Sequence, residues 1–297
     1  MRLVYLGSPA MAVPPLEALV DAGHDVVLVV SNPDRRRGRR GEAGPTPVKQ
    51  AALAAGLAVT DDPDDVLSVQ ADLGVVVAYG RIIRPHVLAH LPMVNLHFSL
   101  LPRWRGAAPV ERAILAGDRV TGVCVMDVAE GLDTGGVHAR AEVPIGTEVT
   151  AGELRAELVE VGTRLLVDTL GPPDAPHVGL GRGEPQPEVG VTYAEKLSTA
   201  DRQLRWDAPA VQLSRVVRVG GAWTTYRQRR FKVLAAELVA DDPAGPAPAP
   251  GELAGDLVGT GDGLLRLREV QPEGRPAMTF EAWANGAQPG PGERLGP

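Results

Sequence analysis

The chain has 297 residues, of which 44% are apolar and 23% charged, and its formal net charge at pH 7 is −7. This size predicts two domains with a sizeable core, and the acidic balance argues against a general nucleic-acid binder unless positive charge is clustered locally. The single cysteine, Cys124, excludes an internal disulfide and a multi-cysteine zinc site, and its apolar neighbours predict a buried, inert thiol. No apolar run approaches the ~20 residues of a membrane span, and the first residues read as a strand rather than a signal peptide. We therefore expect a cytoplasmic protein with no membrane partner.

The chain opens with a strand–helix–strand unit. Apolar patterning predicts a strand at residues 2–6, a helix at 12–22 with two prolines near its first turn, and a second strand at 25–30. This order is typical of an α/β domain with a parallel sheet. The glycine-rich fingerprint of dinucleotide-binding folds is missing, because Gly7 stands alone in the first turn, and this argues against NAD or FAD.

Positive charge is concentrated in one segment, residues 32–41, where five of six consecutive positions are arginine. The glycines and prolines around this run predict an exposed, mobile loop. Arginine offers planar, forked donors to phosphate, so the loop is a candidate RNA contact. The alternative is a solvated basic loop with no ligand. The candidate residues are Arg35, Arg36, Arg37, Arg39 and Arg40.

Polar side chains follow the most apolar part of the chain. Residues 73–79 are predicted to form a buried central strand, and residues 93–98 a further strand. Side chains alternate along a strand, so Asn95 and His97 should point to the same face. An amide and an imidazole side by side can donate to a developing oxyanion and move protons, and Asp133 lies in a glycine-rich loop that could approach them. The alternative is a satisfied, half-buried histidine and an aspartate that makes a turn with its glycines.

The remaining patterns complete two predicted domains. A helix is expected at 107–116, strands at 121–127 and 137–143, and an amphipathic helix from about 149 to 170. Residues 171–190 are dense in glycine and proline and predict a linker. Beyond it, a helix at 208–219 and short strands divided by Gly-, Pro- and Asp-rich turns suggest a small barrel. The predicted strands of this barrel are 224–226, 230–239, 253–258 and 264–270.

A second basic cluster lies in the predicted barrel, beside two aromatic residues. Its role is left open, because a solvated strand face would show the same pattern. The cluster consists of Arg227, Arg229, Arg230 and Lys232, next to Tyr226 and Phe231.

Four segments carry a resemblance to a known family. They read Asn-x-His-x-Ser-Leu-Leu-Pro at 95–102, Arg-Trp-Arg-Gly-Ala-Ala-Pro at 103–109, Gly-Leu-Asp-Thr-Gly at 131–135 and Thr-Tyr-Ala-x-Lys-Leu at 192–197. In this order and spacing they resemble the formyltransferases that use 10-formyltetrahydrofolate, and the second and fourth segments most resemble the methionyl-tRNA formyltransferases. The resemblance covers nearly the whole chain and is weakest in the predicted barrel.

The resemblance implies an α/β fold with a Rossmann-like N-terminal formyltransferase domain at 1–170 and a C-terminal, tRNA-binding OB-like β-barrel domain at 191–297. It assigns catalysis to Asn95, His97 and Asp133. Folate contacts are implied for the residues after the central strand and for the Ser-Leu-Leu-Pro stretch. The implied folate-binding residues are Arg81, Ile82, Ile83, Ser99, Leu100, Leu101 and Pro102.

The same resemblance implies tRNA contacts. A basic loop at the position of residues 32–41 enters the acceptor-stem region of the tRNA in the methionyl-tRNA formyltransferases, although it is often rich in lysine there. This adds weight to the RNA interpretation of the five loop arginines. Within the 103–109 segment, Arg103 and Arg105 are the further candidates for tRNA binding.

The implied reaction is transfer of a formyl group from 10-formyltetrahydrofolate to the α-amino group of methionine on initiator methionyl-tRNA, for translation initiation. It requires no metal and no covalent enzyme intermediate, and a monomer is expected. One rival is a formyltransferase of the same fold that acts on a nucleotide-sugar amine or on glycinamide ribonucleotide. The arginine loop and the long C-terminal part argue against the purine enzyme. The other rival is a non-catalytic RNA-binding protein, against which the intact Asn95, His97 and Asp133 argue.

Overall fold

The structure is a computed structural model that describes residues 1–36, 43–173, 180–239 and 247–296. Its contacts divide the chain into two compact units. The first unit comprises Met1–Val110, Val120–Ile145 and Glu153–Glu195, and the second comprises Glu111–Arg119, Gly146–Gly152 and Lys196–Pro297. The second domain was predicted to start at residue 191, whereas residues 191–195 belong to the first unit.

The first unit is built on a seven-stranded sheet. Its strands and those of two short ribbons are β1 (Arg2–Gly7), β2 (Asp25–Val30), β3 (Arg35–Arg36), β4 (Ala43–Gly44), β5 (Val59–Thr60), β6 (Leu73–Val77), β7 (Met93–His97), β8 (Arg105–Gly106), β9 (Val120–Asp127), β10 (Val137–Pro144) and β11 (Tyr193–Ala194). The large sheet has the order β10-β9-β7-β6-β1-β2-β5. The five strands from β7 to β5 are parallel, and β9 and β10 extend the sheet antiparallel at one edge. This architecture confirms the Rossmann-like α/β prediction.

The central position of β6 follows from its composition. All five of its residues, Leu73–Val77, are buried, and the strand pairs with β1 on one side and β7 on the other. A strand buried on both faces needs an uninterrupted apolar run, which is what the sequence supplies. The parallel arrangement brings the carboxyl ends of β1, β2, β6 and β7 to one edge of the sheet, where ligand sites of such folds form.

Five α-helices lie in the first 170 residues: α1 (Val13–Asp21), α2 (Pro47–Ala54), α3 (Pro85–His90), α4 (Pro109–Ala116) and α5 (Ala151–Leu170). Most of α4, from Glu111 on, belongs to the second unit. The helix starts follow sequence signals, since α1, α2 and α3 have proline in the first turn and the hydroxyl of Thr46 caps α2 by accepting from the backbone N of Lys49 (3.1 Å). The predicted helix at 12–22 begins with a 3-10 turn at Ala10–Ala12. The short α3 was not predicted, because six residues carry too little periodicity.

The segment predicted as a mobile arginine loop begins with paired backbone. Arg35 pairs with Gly44 and Arg36 with Ala43, so β3 and β4 form an antiparallel ribbon. Arg37, Arg39 and Arg40 lie outside the described residues.

The second unit is an antiparallel β-structure that contains two further α-helices besides most of α4. Its elements are α6 (Ala210–Arg218), β12 (Trp223–Tyr226), β13 (Arg229–Leu238), β14 (Leu253–Ala254), β15 (Leu257–Gly259), β16 (Leu264–Pro272), β17 (Met278–Thr279) and α7 (Phe280–Ala287). The strand order is β12-β13-β16-β15-β14, with β17 on β16. The two edge strands of this path are connected by the chain end, since Leu295 bridges to Tyr226 and Arg294 bridges to Glu252. The chain end therefore closes the sheet, as the predicted barrel requires.

Aromatic side chains fill the core of the second unit. Trp283 of α7 packs with its ring centroid 4.8 Å from Phe231, 4.9 Å from Tyr226 and 5.0 Å from Phe280. Each fully buried aromatic side chain stabilises the fold by about 1.5–3 kcal/mol through apolar burial. The helix α7 that supplies Trp283 was not predicted. Within the described ranges, no helix is both long and apolar enough to cross a membrane.

Candidate active site

The strand β7 carries the two polar residues that the alternating pattern singled out. It lies between β6 and β9, with Asn95 opposite Val76 and Met126, and His97 opposite Cys124. Asn95 is half-buried and the His97 side chain is only 7% exposed. Their spacing of two puts both side chains on one face of the sheet, next to the loop that follows the strand.

Each ring nitrogen of His97 has a polar group of the protein next to it. Nε2 lies 3.0 Å from the carbonyl oxygen of Trp104. Because a carbonyl only accepts hydrogen bonds, Nε2 carries the proton of the neutral ring. Nδ1 faces the carboxylate of Asp133, with a distance of 3.7 Å to Oδ2. The nitrogen without a proton in the neutral ring is therefore Nδ1, which faces this carboxylate.

Asp133 reaches His97 from a distant loop. Its backbone has a positive φ of 50°, which is uncommon for a residue with a side chain. The backbone N of Gly106 donates to Asp133 Oδ2 at 2.7 Å, so the same oxygen that faces His97 is also oriented from the backbone. The structure thus brings His97 and Asp133 together, although 36 positions separate them.

The predicted folate-binding stretch after β7 forms a tight loop. Ser99 is buried and its hydroxyl donates to the carbonyl of Arg103 at 2.6 Å. Leu101 is buried in a cluster with Cys124. Leu100 lies so close to Gly122 that a β-carbon added to Gly122 would collide with the Leu100 side chain. The peptide bond before Pro102 is cis. The side chains of Ser99 and Leu101 thus hold the loop in place.

The other predicted folate-binding segment, after β6, has mixed exposure. Ile83 belongs to the core cluster around Tyr79 and Val87. Ile82 is 92% exposed, and Arg81 is exposed and donates to the carbonyl of Asp61 at 3.2 Å. Only Arg81 and Ile82 present side chains that a ligand could contact.

Sequence reasoning missed the contribution of residues 183–194, which we call the strap. The sequence predicts a linker at 171–190, but the described strap residues lie along the first unit. Glu184 pairs with Val137 through two backbone hydrogen bonds of 2.8 and 2.9 Å, and β11 pairs with β8. The sequence gives no signal for this pairing, because a glycine- and proline-rich segment has no apolar periodicity. Such a segment can still pair with the rest of the unit through individual backbone hydrogen bonds.

Two strap side chains lie next to the site. The Gln186 amide nitrogen donates to the carbonyls of Asp133 (2.9 Å) and Gly135 (2.8 Å). The Thr192 hydroxyl accepts from the backbone N of Trp104 at 2.9 Å. Both side chains therefore contact the loops that carry the partners of His97.

The two arginines predicted to bind tRNA in the 103–109 segment have protein partners. The guanidinium of Arg103 lies 4.4 Å from the ring centroid of Trp104. Arg105 donates from Nε (3.1 Å) and Nη2 (2.7 Å) to Gln186 Oε1. Arg105 is therefore part of the packing around Asp133, a role the sequence did not indicate.

The second basic cluster borders a groove of about 760 Å³ in the second unit. Arg230 stacks on Trp223 (4.5 Å) and Arg227 on Tyr226 (4.8 Å), while Lys232 donates to Gln271 (3.2 Å). Phe231, by contrast, is buried in the core. Among the described residues, no group of three or more His, Cys, Asp or Glu side chains could hold a metal ion.

Comparisons with known proteins agree on one family. The profile of "Formyl transferase" matches residues 1–170, and that of "Formyl transferase, C-terminal domain" matches residues 196–288. A methionyl-tRNA formyltransferase of Heliobacterium modesticaldum is 42% identical over 322 aligned positions that cover 100% of both chains. A second one, of Symbiobacterium thermophilum, is 42% identical over 100% of this chain and 96% of its own.

The fold is also found in solved structures. An N-formyltransferase of Helicobacter canadensis, solved with folinic acid and dTDP-3-aminofucose, superposes with a TM-score of 0.70 at 16% identity. The match covers 89% of this chain and 98% of the other. At this identity the likeness supports the two-part fold and says nothing about the acceptor.

Proposed function

The chain belongs to the formyl transferase family, and on that premise we propose that it transfers the formyl group of 10-formyltetrahydrofolate to the α-amino group of methionine on initiator methionyl-tRNA. The observation that carries the proposal is the full-length identity of 42% to methionyl-tRNA formyltransferases, which includes both units. The contact of His97 with Asp133 supplies a chemical centre that fits this reaction.

The reaction joins an amine to a formyl carbon. The α-amino nitrogen attacks that carbon, a carbon–nitrogen bond forms, and the carbonyl oxygen becomes an oxyanion. The bond from this carbon to N10 of the folate then breaks, and a proton passes from the amine to N10. Donors aimed at the oxyanion lower the barrier most, because charge develops there. We assign this role to the amide of Asn95, with His97 beside it.

His97 and Asp133 are the proton-handling pair in this proposal. With Nε2 donating to the Trp104 carbonyl, Nδ1 is the atom that exchanges a proton. Asp133, at 3.7 Å, stabilises the imidazolium while it exists. The chemistry needs no enzyme nucleophile and no metal.

The co-substrate is a folate, bound in the proposal by the loop after β7 and the segment after β6. The buried side chains of Ser99 and Leu101 set the course of the first loop, so its backbone, with Leu100 and Pro102, would contact the folate. In the second segment, Arg81 and Ile82 are exposed, so we assign side-chain contact to them and only backbone contact to Ile83.

The partner is initiator methionyl-tRNA, and the reaction is assigned to the cytoplasm, where translation begins. Five arginines in the segment 32–41 supply positive charge in an otherwise acidic protein. Arg103 is a further candidate contact. Arg105 is assigned a positioning role instead, because both described hydrogen bonds of its side chain go to Gln186.

A transfer assay with two acceptors tests the proposal. Wild-type protein should transfer formyl from 10-formyltetrahydrofolate to charged initiator methionyl-tRNA, and not to a nucleotide-sugar amine supplied in parallel. His97→Ala should lose about 1000-fold in transfer while tRNA binding persists. Transfer to the sugar alone would overturn the acceptor assignment, and undiminished transfer by His97→Ala would overturn the catalytic one.

The arginine segment makes a separate prediction. A variant with Arg36, Arg37, Arg39 and Arg40 changed to Ala should bind tRNA more weakly. The slope of log Kobs against the logarithm of the salt concentration should become shallower by up to about 0.9 for each phosphate contact that is lost. Folate binding should not change. The matched control changes four exposed arginines elsewhere, Arg2, Arg119, Arg140 and Arg164, and thereby removes the same charge. Equal salt slopes in the two variants would show that the segment makes no specific contact.

A further inference from the structure

We propose that the strap is a positioning device for the active site, in which Thr192 orients the carbonyl that holds His97, and Gln186 orients the loop that carries Asp133. This inference rests on the proposed function for the identity of the reaction. It assigns a role to a segment that lies between the two regions matched by the family profiles, 1–170 and 196–288.

Two residues that contact His97 have strained backbones. Trp104 has a φ of 63° and Asp133 a φ of 50°, a region that residues with a β-carbon rarely adopt. Such conformations persist only where surrounding contacts determine them. The strap supplies a side-chain hydrogen bond to each of these two residues.

Thr192 holds the peptide unit between Trp104 and Arg105 from the side opposite His97. The Arg105 backbone N donates to the Thr192 carbonyl at 2.9 Å, and the Trp104 backbone N donates to the Thr192 hydroxyl, also at 2.9 Å. A peptide unit is planar with its N–H and C=O pointing in opposite directions. The Thr192 carbonyl fixes the Arg105 N–H and so directs the Trp104 carbonyl toward His97 Nε2, at 3.0 Å. The Thr192 hydroxyl fixes the preceding peptide unit and thereby the left-handed backbone of Trp104, so its loss should let this carbonyl turn away from His97.

Gln186 fixes the second partner of His97. Its Oε1 accepts from Arg105, which can only donate, so the orientation of the amide is unambiguous. Its amide nitrogen donates to the carbonyls of Asp133 and Gly135, on both sides of the turn. The side chain thus joins the two loops on which the site is built.

The strap is itself anchored along the first unit. The backbone N of Gly183 donates to Asp127 Oδ2 at 3.0 Å, and Gly136 approaches it so closely that neither glycine has room for a β-carbon. At the other end, the backbone N atoms of Ala107 and Ala108 both donate to the carbonyl of Ala194. Because both ends of the strap are hydrogen-bonded to the first unit, the backbone at Gln186 and Thr192 is held in place between them.

The test uses near-isosteric variants of the full-length protein. Thr192→Val removes the hydroxyl and Thr192→Ser restores it. Gln186→Glu keeps an acceptor for Arg105 but cannot donate to the two carbonyls. Matched controls are Thr147→Val and Gln70→Glu at exposed positions. The readouts are kcat, KM for the folate donor, thermal unfolding, and the pH titration of the His97 ring by NMR.

We expect Thr192→Val and Gln186→Glu to lower kcat about 10- to 100-fold, with KM for the donor changed less than about threefold, because misplacing a reactive group costs rate more than binding. The His97 titration should move in Thr192→Val, which adds no charge near the ring, and Thr192→Ser should recover most of the loss. Both control variants should behave as the wild type.

Wild-type kcat in both variants and an unmoved His97 titration in Thr192→Val would overturn the proposal. So would a loss of kcat that follows a loss of folded protein, or an equal loss in Thr192→Ser. If the wild type formylates neither tRNA nor the sugar amine, the proposed function fails, and the His97 titration alone then decides whether the strap positions the ring.

Discussion

The side chains of Gln186 in the first unit and Glu293 in the second each bind a non-glycine residue whose backbone is left-handed. Gln186 donates to the carbonyl of Asp133, where φ is 50°. Glu293 accepts from the guanidinium of Arg227, where φ is 46°, and from the hydroxyl of Tyr226 at 2.9 Å. The two contacts look alike, yet they serve different purposes.

In the second unit the unusual backbone belongs to an ordinary turn. Arg227 and Gln228, with a φ of 63°, are the two residues between β12 and β13, and two positive φ values in succession match the twist of a hairpin. In the first unit, Asp133 lies in the long loop between the antiparallel strands β9 and β10, outside any tight two-residue turn. Its carbonyl and its carboxylate are hydrogen-bonded by Gln186 and by the Gly106 N–H, which are far along the chain. The strain at Asp133 is therefore a property of the site, and that at Arg227 a property of the turn.

The chemistry of the two holding groups differs as well. The Glu293 carboxylate is hydrogen-bonded first by Arg227 and also by the Gly290 N–H and Tyr226, and these contacts lower its pKa to about 2. An amide does not titrate, so the contact of Gln186 with Asp133 is independent of pH. Barrel closure should therefore weaken in acid, whereas the Gln186 contact should not.

Asp133→Asn tests the role of Asp133 in the first unit and should have the largest effect. Asparagine tolerates positive φ and still accepts from the Gly106 N–H, so the fold should persist. The charge that stabilises protonated His97 is lost, and we expect kcat to fall about 100- to 1000-fold. Kinetics and thermal unfolding measure the two effects, with Asp72→Asn as control, because Asp72 also accepts from a backbone N–H. Wild-type kcat in Asp133→Asn would remove the carboxylate from the mechanism.

Glu293→Gln tests the second side and should act on stability alone. The Glu293 side chain is 26% exposed, so we expect the free energy of unfolding to fall by only about 0.5–1 kcal/mol at pH 7. Because the folded pKa of about 2 lies below the unfolded value of about 4.3, this stabilisation is present above pH ~4.3 and is lost as the pH falls toward 2.

Urea unfolding of wild type and Glu293→Gln across this pH range measures the effect, with the exposed Glu157→Gln as control. A difference between wild type and variant that stays constant down to pH 2 would contradict the assignment of the low pKa to Glu293.

Gln228→Gly tests whether the positive φ in the second unit belongs to the turn alone, and we expect it to have the smallest effect of these substitutions. Glycine adopts positive φ without steric cost, which should outweigh its larger unfolded-state entropy and stabilise the hairpin by about 0.5 kcal/mol. Transfer activity should not change. The control Gln212→Gly, on α6, should destabilise by about 1 kcal/mol. A destabilising Gln228→Gly would mean that its side chain, and not the turn geometry, matters there.

The sequence predicted most of the fold because the relevant signals are local. The apolar run of β6, the prolines of α1 and the turn residues of the barrel each act within a few positions, and the structure confirms these elements. The predicted strand 253–258 was wrong, since it divides into β14 and β15, which pair antiparallel around a short turn. The helix α3 was missed, because six residues give little periodicity. The helix α7 has the same length as α4, which was predicted, but the Asn285-Gly286 pair inside it is a turn signal. The closing contact of Leu295 with Tyr226 was missed for a different reason, since a single bridge leaves no pattern.

By itself the sequence determined that Asn95 and His97 share one face of a strand, and it identified the family through short ordered motifs. Only the tertiary structure decided that Asp133 meets His97 Nδ1, that Trp104 fixes Nε2, and that a glycine- and proline-rich segment supports both. The physical reason is that these are single polar contacts, most of them between positions far apart in the chain, such as the 53 positions between Gln186 and Asp133. Such contacts depend on how the backbone folds back on itself, and they need neither hydrophobic periodicity nor a particular neighbour in sequence.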